Sequence, residues 1–173
     1  LGLLLGRVTV WDKLLRPPIE MVRTLPGPAL LPPLILLLGV GDALKIVVIA
    51  LGAFFPVFVN AYSGVKSIDS TLLLTARTFR LPRGVTLRRI IVPAALPSIA
   101  AGMRISISLA LTVGVIAEMI SGASGLGFYL MSMQFALRAD AMYATVILLA
   151  GTGYVLNRLF VHGEERLIFW RAT

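Results

Sequence analysis

Of the 173 residues, 58% are hydrophobic and 14% charged; a soluble domain carries roughly 25% charged residues, so this chain lacks the polar surface that water demands and reads as an integral membrane protein. Sixteen Lys and Arg against eight Asp and Glu give a net charge of +8, an excess that in a membrane protein marks cytoplasmic loops rather than nucleic-acid binding. With no cysteine and a single histidine, His162, the chain excludes a disulfide scaffold, a Cys-ligated zinc or iron–sulfur centre, a thiol nucleophile and a histidine-cluster metal site of its own.

In chain order, residues 1–10 are apolar but too few to cross a bilayer, which takes roughly 20. They lack the basic start and the small-residue cleavage site of a signal peptide. They are expected to be a partial first span. Residues 11–28 form a polar connection with Pro17, Pro18, Pro26 and Pro28. Residues 29–39 are a short apolar span that Pro32 and Pro33 open, positions where the missing N–H costs a helix nothing. A glycine turn ends at Asp42. The second span is predicted over 43–63, with Pro56 and Asn60 inside it. A polar, arginine-rich segment covers 64–93, and further spans are predicted over 94–120 and 141–161. Between those two lie Gly122, Gly125 and Gly127, and a short charged tail ends the chain. There is no internal repeat.

The basic residues orient these spans. With 64–93 in the cytoplasm, residues 11–28 and the C-terminal tail fall on the same side, which then holds most of the Lys and Arg. The opposite side keeps Lys45 and Arg138, and Arg104 lies within a span. The two tryptophans, Trp11 and Trp170, fall next to cytoplasmic interfaces, where amphipathic rings anchor. His162 belongs to the solvated tail.

The arginine-rich segment is more than a linker. Asp69 and Ser70 are N-capping types. Leu72, Leu73, Ala76 and Phe79 follow at helical spacing, with Arg77 and Arg80 on the polar side. Pro82 stops this helix, Gly84 permits a turn, and a short helix over 85–92 is expected to end at Pro93. Such an element either offers an apolar knob to a cytoplasmic partner or lies on anionic lipid. Composition does not choose between the two.

These residues also resemble a known family. Thr71-Leu-Leu-Leu-Thr-Ala-Arg-Thr-Phe-Arg-Leu-Pro-Arg83 and Arg88-Arg-Ile-Ile-Val-Pro-Ala-Ala-Leu-Pro97 are similar to the EAA loop of ABC importer permeases. Gly102-Met-Arg-Ile-Ser-Ile, Ala117-Glu118-Met-Ile and Ser124-Gly-Leu-Gly-Phe128 continue the likeness, in the branch that imports nitrate, sulfonates, taurine and similar small anions or thiamine precursors. Arg16-Pro-Pro-Ile-Glu and Ala50-Leu-Gly-Ala-Phe-Phe-Pro56 extend it over nearly the whole chain. Two departures stand out: Leu74-Thr75-Ala76 replaces Glu-Ala-Ala, and Arg80 replaces the glycine that follows, so the bend is expected to move along to Pro82 and Gly84.

The resemblance implies an all-α, polytopic transmembrane bundle with the type I ABC importer permease fold and a cytoplasmic coupling helix, all 173 residues forming one permease domain in the bacterial inner membrane. It implies about six spans, of which the first and part of the second are missing here. It further implies a second permease subunit, in a likeness to homodimers, two ATPase subunits that bind ATP and Mg, and an extracytoplasmic solute-binding protein. The chain itself would hold no cofactor, metal or nucleic acid and would catalyse nothing. It contains no P-loop. The coupling residues implied are Leu74, Thr75, Ala76, Arg77, Phe79, Arg80 and Pro93.

The substrate path or gate candidates are Arg104, Ser108, Glu118, Gly125 and Gly127. An acid at membrane depth is a functional candidate by default, yet Glu118 also suits helix packing. Arg104 either meets an anion or snorkels to the interface. Ser106 and Ser108 either line a polar path or bond their own helix, and Asn60 is similar. The glycines permit a tight turn at the outer mouth or simply end a helix. A non-transporting scaffold or degenerate permease paralogue is the alternative reading. An intramembrane enzyme is disfavoured because Glu118 has no evident acidic partner.

Overall fold

The computed structural model describes residues 20–21, 26–121 and 124–168. The partial span at 1–10, most of the 11–28 connection, Trp11, Gly122 and Trp170 lie outside them. Every regular element among the described residues is helical. A 3₁₀ turn, Gly27–Leu30, runs into α1, Leu31–Leu38. The long helices are α2, Asp42–Lys66, α4, Arg83–Ser121, and α6, Ala139–Leu167. Two short helices complete the set: α3, Ser70–Thr78, and α5, Leu126–Phe135. Among the described residues three helices, α2, α4 and α6, are long and apolar enough to cross a membrane.

The 39 residues of α4 make a rod about 58 Å long, nearly twice the ~30 Å hydrocarbon core. Its first turns therefore stand clear of the membrane on the arginine-rich side. This corrects the expected helix end at Pro93, which lies within α4. A single widened turn, Leu87–Ile91, precedes that proline, and the Val92 N–H reaches back five residues to the Leu87 carbonyl. The wider turn makes room for the proline ring, which would otherwise strike the carbonyl four residues back.

Helices α2 and α4 run antiparallel and form the body of the fold. Lipid offers no hydrophobic force to press helices together, so small residues that allow close approach must do it. Gly64 faces Ser98, Gly102 faces Asn60 and the Pro56 carbonyl, and Gly114 faces Ile49. Ser106 donates its hydroxyl to the Ala53 carbonyl at 2.5 Å, and the Asn60 amide donates to the Pro56 carbonyl at 2.8 Å. Two buried clusters close the ends. Leu31, Leu44, Val48, Val113 and Ala117 join α1, α2 and α4 at one end. Val65, Ile91 and Ala95 join α2 and α4 at the other, with Ile68 and Leu73 packed on them.

Candidate functional site

The candidate coupling element begins where the Asp69 carboxylate accepts the Thr71 backbone N–H at 2.8 Å, capping α3. That bond, and a second from the Thr71 side chain, hold the Asp69 carboxyl below its usual range. A lowered value means that the cap is intact above the ordinary carboxylate range and is lost as pH falls through the lowered one. It is therefore fully formed at cytoplasmic pH.

Helix α3 ends on a Schellman turn. Arg80 adopts φ +50°, its N–H bonds the Arg77 carbonyl, and the Leu81 N–H bonds the Ala76 carbonyl at 3.0 Å. The bend is therefore at Arg80, where the resembling family has glycine, and has not moved to Gly84. Gly84 sits in the first turn of α4 without a positive φ. A left-handed conformation costs a side-chain-bearing residue about 1 kcal/mol. Arg80→Gly is accordingly expected to stabilise the element by about that amount, read as slower amide hydrogen exchange over residues 70–81 with the rest of the chain unchanged.

Between cap and turn, α3 presents two faces. Ala76 is buried and Leu73 packs on the Val65–Ile91–Ala95 cluster, so this face of α3 turns toward the ends of α2 and α4. Leu74 is 58% exposed and Phe79 73% exposed. Thr75, Arg77 and Arg80 are exposed beside them, and Arg83, Arg88 and Arg89 surround the element. Six of the expected coupling residues thus sit together on one short helix and its cap, with Ala76 turned inward. Pro93 is the outlier, a few turns up α4.

At the far end of α4, Glu118 reaches over the α4–α5 connection. Its carboxylate accepts the Gly127 N–H at 2.9 Å, capping α5 in place of Gly125, which has no side chain to offer. Gly125 has φ +110° and packs directly on the Glu118 carboxyl, and Gly127 packs on the Val115 carbonyl, so neither position has room for a β-carbon. These three site candidates form one clasp. Lys45 ties it to α2, donating to the Ser124 carbonyl at 3.2 Å and lying 3.7 Å from Asp42. Glu118→Ala should cost about 1 kcal/mol, the usual worth of an N-cap. The check is faster exchange of the Gly127 amide together with a lower unfolding temperature; an unchanged Gly127 amide would count against the capping role.

The remaining candidates lie on α4's third face. Arg104, Ser108 and Thr112 recur every four residues and are exposed. Ser106, by contrast, is buried on Ala53. Arg104 and Ser108 therefore share a row, well separated from the Glu118 clasp. The Arg104 guanidinium meets the Glu164 carboxylate of α6 at 2.5 Å, with the arginine side chain 45% exposed and the glutamate side chain 8% exposed. Seven residues back along α6, on the same side, Asn157 buries a carbonyl oxygen that accepts no hydrogen bond among the described residues. Glu164 was not among the sequence candidates. It and Glu165 lie in the charged tail, and nothing local tells which of the two turns inward. Lys45 was likewise overlooked as a tether.

Among known proteins, the model of the binding-protein-dependent transport system inner membrane component family matches residues 1–168. The putative aliphatic sulfonates transport permease protein SsuC of Bacillus subtilis (strain 168) is 34% identical over all of this chain and 64% of its own length. SsuC of Escherichia coli (strain K12) is 36% identical over 82% of this chain and 54% of its own. The taurine transport system permease protein TauC of Escherichia coli (strain K12) is 32% identical over 99% of this chain and 62% of its own. The chain thus spans between about half and two thirds of the length of these relatives. A matched family of inner membrane components and three membrane-length helices make it a multi-pass inner-membrane protein. The chain belongs to the family of binding-protein-dependent transport system inner membrane components.

Proposed function

We propose that this chain is a permease subunit of an ATP-driven importer for small organic anions of the aliphatic sulfonate class, working by alternating access. Two permease subunits, as a homodimer, would enclose the path within the lipid bilayer. Separate ATPase subunits would bind ATP and Mg, and an extracytoplasmic binding protein would deliver the solute. The substrate class rests on the similarity to the aliphatic sulfonates and taurine transport permease proteins SsuC and TauC.

The observation that carries the coupling role is the split character of α3. One face turns inward, with Ala76 buried and Leu73 packed on the Val65–Ile91–Ala95 cluster of α2 and α4, and the other holds Leu74 and Phe79 out in the open. A partner that grips the open face moves the closed face with it, and α4 carries that motion into the membrane as one continuous rod. The exposed row Arg104, Ser108 and Thr112 supports the placement of the path. Charged and hydroxyl groups on a membrane helix are costly against lipid, so this row belongs against water or a second subunit.

Purification of the permease from native membranes in mild detergent tests the reading. The expected companion is a P-loop ATPase in equal amount, and uptake of labelled ethanesulfonate in reconstituted vesicles should require ATP. An intact, folded permease with no ATPase attached would favour the scaffold alternative.

A further inference from the structure

The ion pair between α4 and α6 has a use beyond holding helices together. Arg104 sits on the exposed polar row while Glu164, its partner at 2.5 Å, is almost wholly buried. A guanidinium carries five N–H donors, and the contact with Glu164 engages one of its nitrogens, NH2. The half-exposed remainder of the head is free to meet an anion. A bare arginine in a poorly solvated path would hold a sulfonate tightly, because charge-assisted pairs strengthen as the dielectric falls. Tight holding defeats transport, since a solute must enter each site and also leave it.

We infer that Glu164 is a positioning residue that sets substrate affinity through Arg104. It is a built-in counter-anion that fixes the guanidinium on the polar row and offsets its charge, so that a monoanionic sulfonate binds weakly and is released. This rests on the importer reading above. It predicts a particular division of kinetic effects. Removing the negative charge while keeping the shape, as in Glu164→Gln, leaves Arg104 uncompensated but still half solvated. The site then gains affinity and loses release rate. A merely structural glutamate, once replaced, would lower the amount of active transporter without tightening the site.

The test uses the assembled transporter in lipid vesicles, with ethanesulfonate as the probe. In Glu164→Gln, KM for ethanesulfonate should fall by about ten-fold, the usual effect of one close charge, and kcat should fall with it. Glu164→Asp, which keeps the charge, should stay near wild type. Should Glu164→Gln fold poorly, the double variant Arg104→Gln, Glu164→Gln removes both charges at once; it should remain folded and lose the concentration dependence on ethanesulfonate. A second readout needs no transport. Phenylglyoxal labelling of Arg104, followed by mass spectrometry of the peptide, should be blocked by ethanesulfonate, at about ten-fold lower concentration in Glu164→Gln. An equal KM and equal protection in wild type and Glu164→Gln would overturn the inference while leaving the importer reading in place. Protection at Arg104 without ATP-driven uptake would retain the inferred site and count against the importer reading.

Discussion

Gly102→Ala is expected to lower the unfolding temperature of the detergent-solubilised permease by about 10 °C, corresponding to about 3 kcal/mol for a chain of this size. A single methyl group is enough because of what surrounds it. A β-carbon at position 102 would lie 2.7 Å from the Asn60 β-carbon, 2.8 Å from the Pro56 carbonyl oxygen and 3.1 Å from the Val57 α-carbon. Two of these three are backbone atoms, so relief requires α2 and α4 to separate along their shared seam. Gly64 is a useful contrast. Its β-carbon would meet chiefly the Ser98 side chain, at 2.6 Å. Gly64→Ala should therefore be rescued in large part by Ser98→Gly, whereas Asn60→Gly, which removes the β-carbon nearest position 102, should rescue Gly102→Ala little because the backbone contacts remain. Thermal unfolding of the four variants and the two pairs decides it. Full rescue of Gly102→Ala by Asn60→Gly would show that the backbone contact is not limiting.

Phe79→Asp is the second large effect, and it should strike function without touching the fold. Phe79 is 73% exposed in this chain and makes no part of either buried cluster. On the proposed coupling role, its ring is buried only once the ATPase covers it. Burying an aromatic of this size contributes about 2 kcal/mol, or roughly thirty-fold in an association constant. A carboxylate there adds a desolvation penalty. The expected outcome is loss of ATPase association and of ATP-driven uptake, with an unfolding temperature unchanged within about 1 °C. Ala76→Glu should fail differently. Ala76 is buried, so that variant should loosen α3 itself, seen as faster exchange over residues 70–81. Unimpaired ATPase binding in Phe79→Asp would remove α3 as the docking surface.

Much of the structure of the proposed coupling element is legible in the sequence because its signals are local. An Asp69 cap, leucines at helical spacing and a following proline act over a few residues, and α3 forms where they stand. The end of that helix was less legible. Arginine is a poor candidate for φ +50°, and Gly84 nearby looked the better hinge. The two hydrogen bonds that close the Schellman turn at Arg80 outweigh the cost of the backbone conformation. Pro93 misled for a similar reason. A proline normally ends a helix, but here a widened turn five residues long on its N-terminal side absorbs it. That bonding pattern leaves no mark in the residue types.

Composition, charge asymmetry and apolar periodicity by themselves determined that this is an all-α, multi-pass membrane protein with its basic loop on one side and a short amphipathic helix within that loop. Those properties follow from the transfer of single residues between water and lipid and from neighbours a turn apart, and both can be read along one dimension. Only the tertiary structure decided that Ser106 is bonded to Ala53 while Ser108 faces outward, that Glu118 caps α5 across the glycine turn, and that Arg104 is held by Glu164 sixty residues away. Each depends on how far two helices approach and how they are rotated about their axes. That is set by small residues such as Gly64 and Gly102 meeting across the α2–α4 seam, a distance that no local pattern encodes.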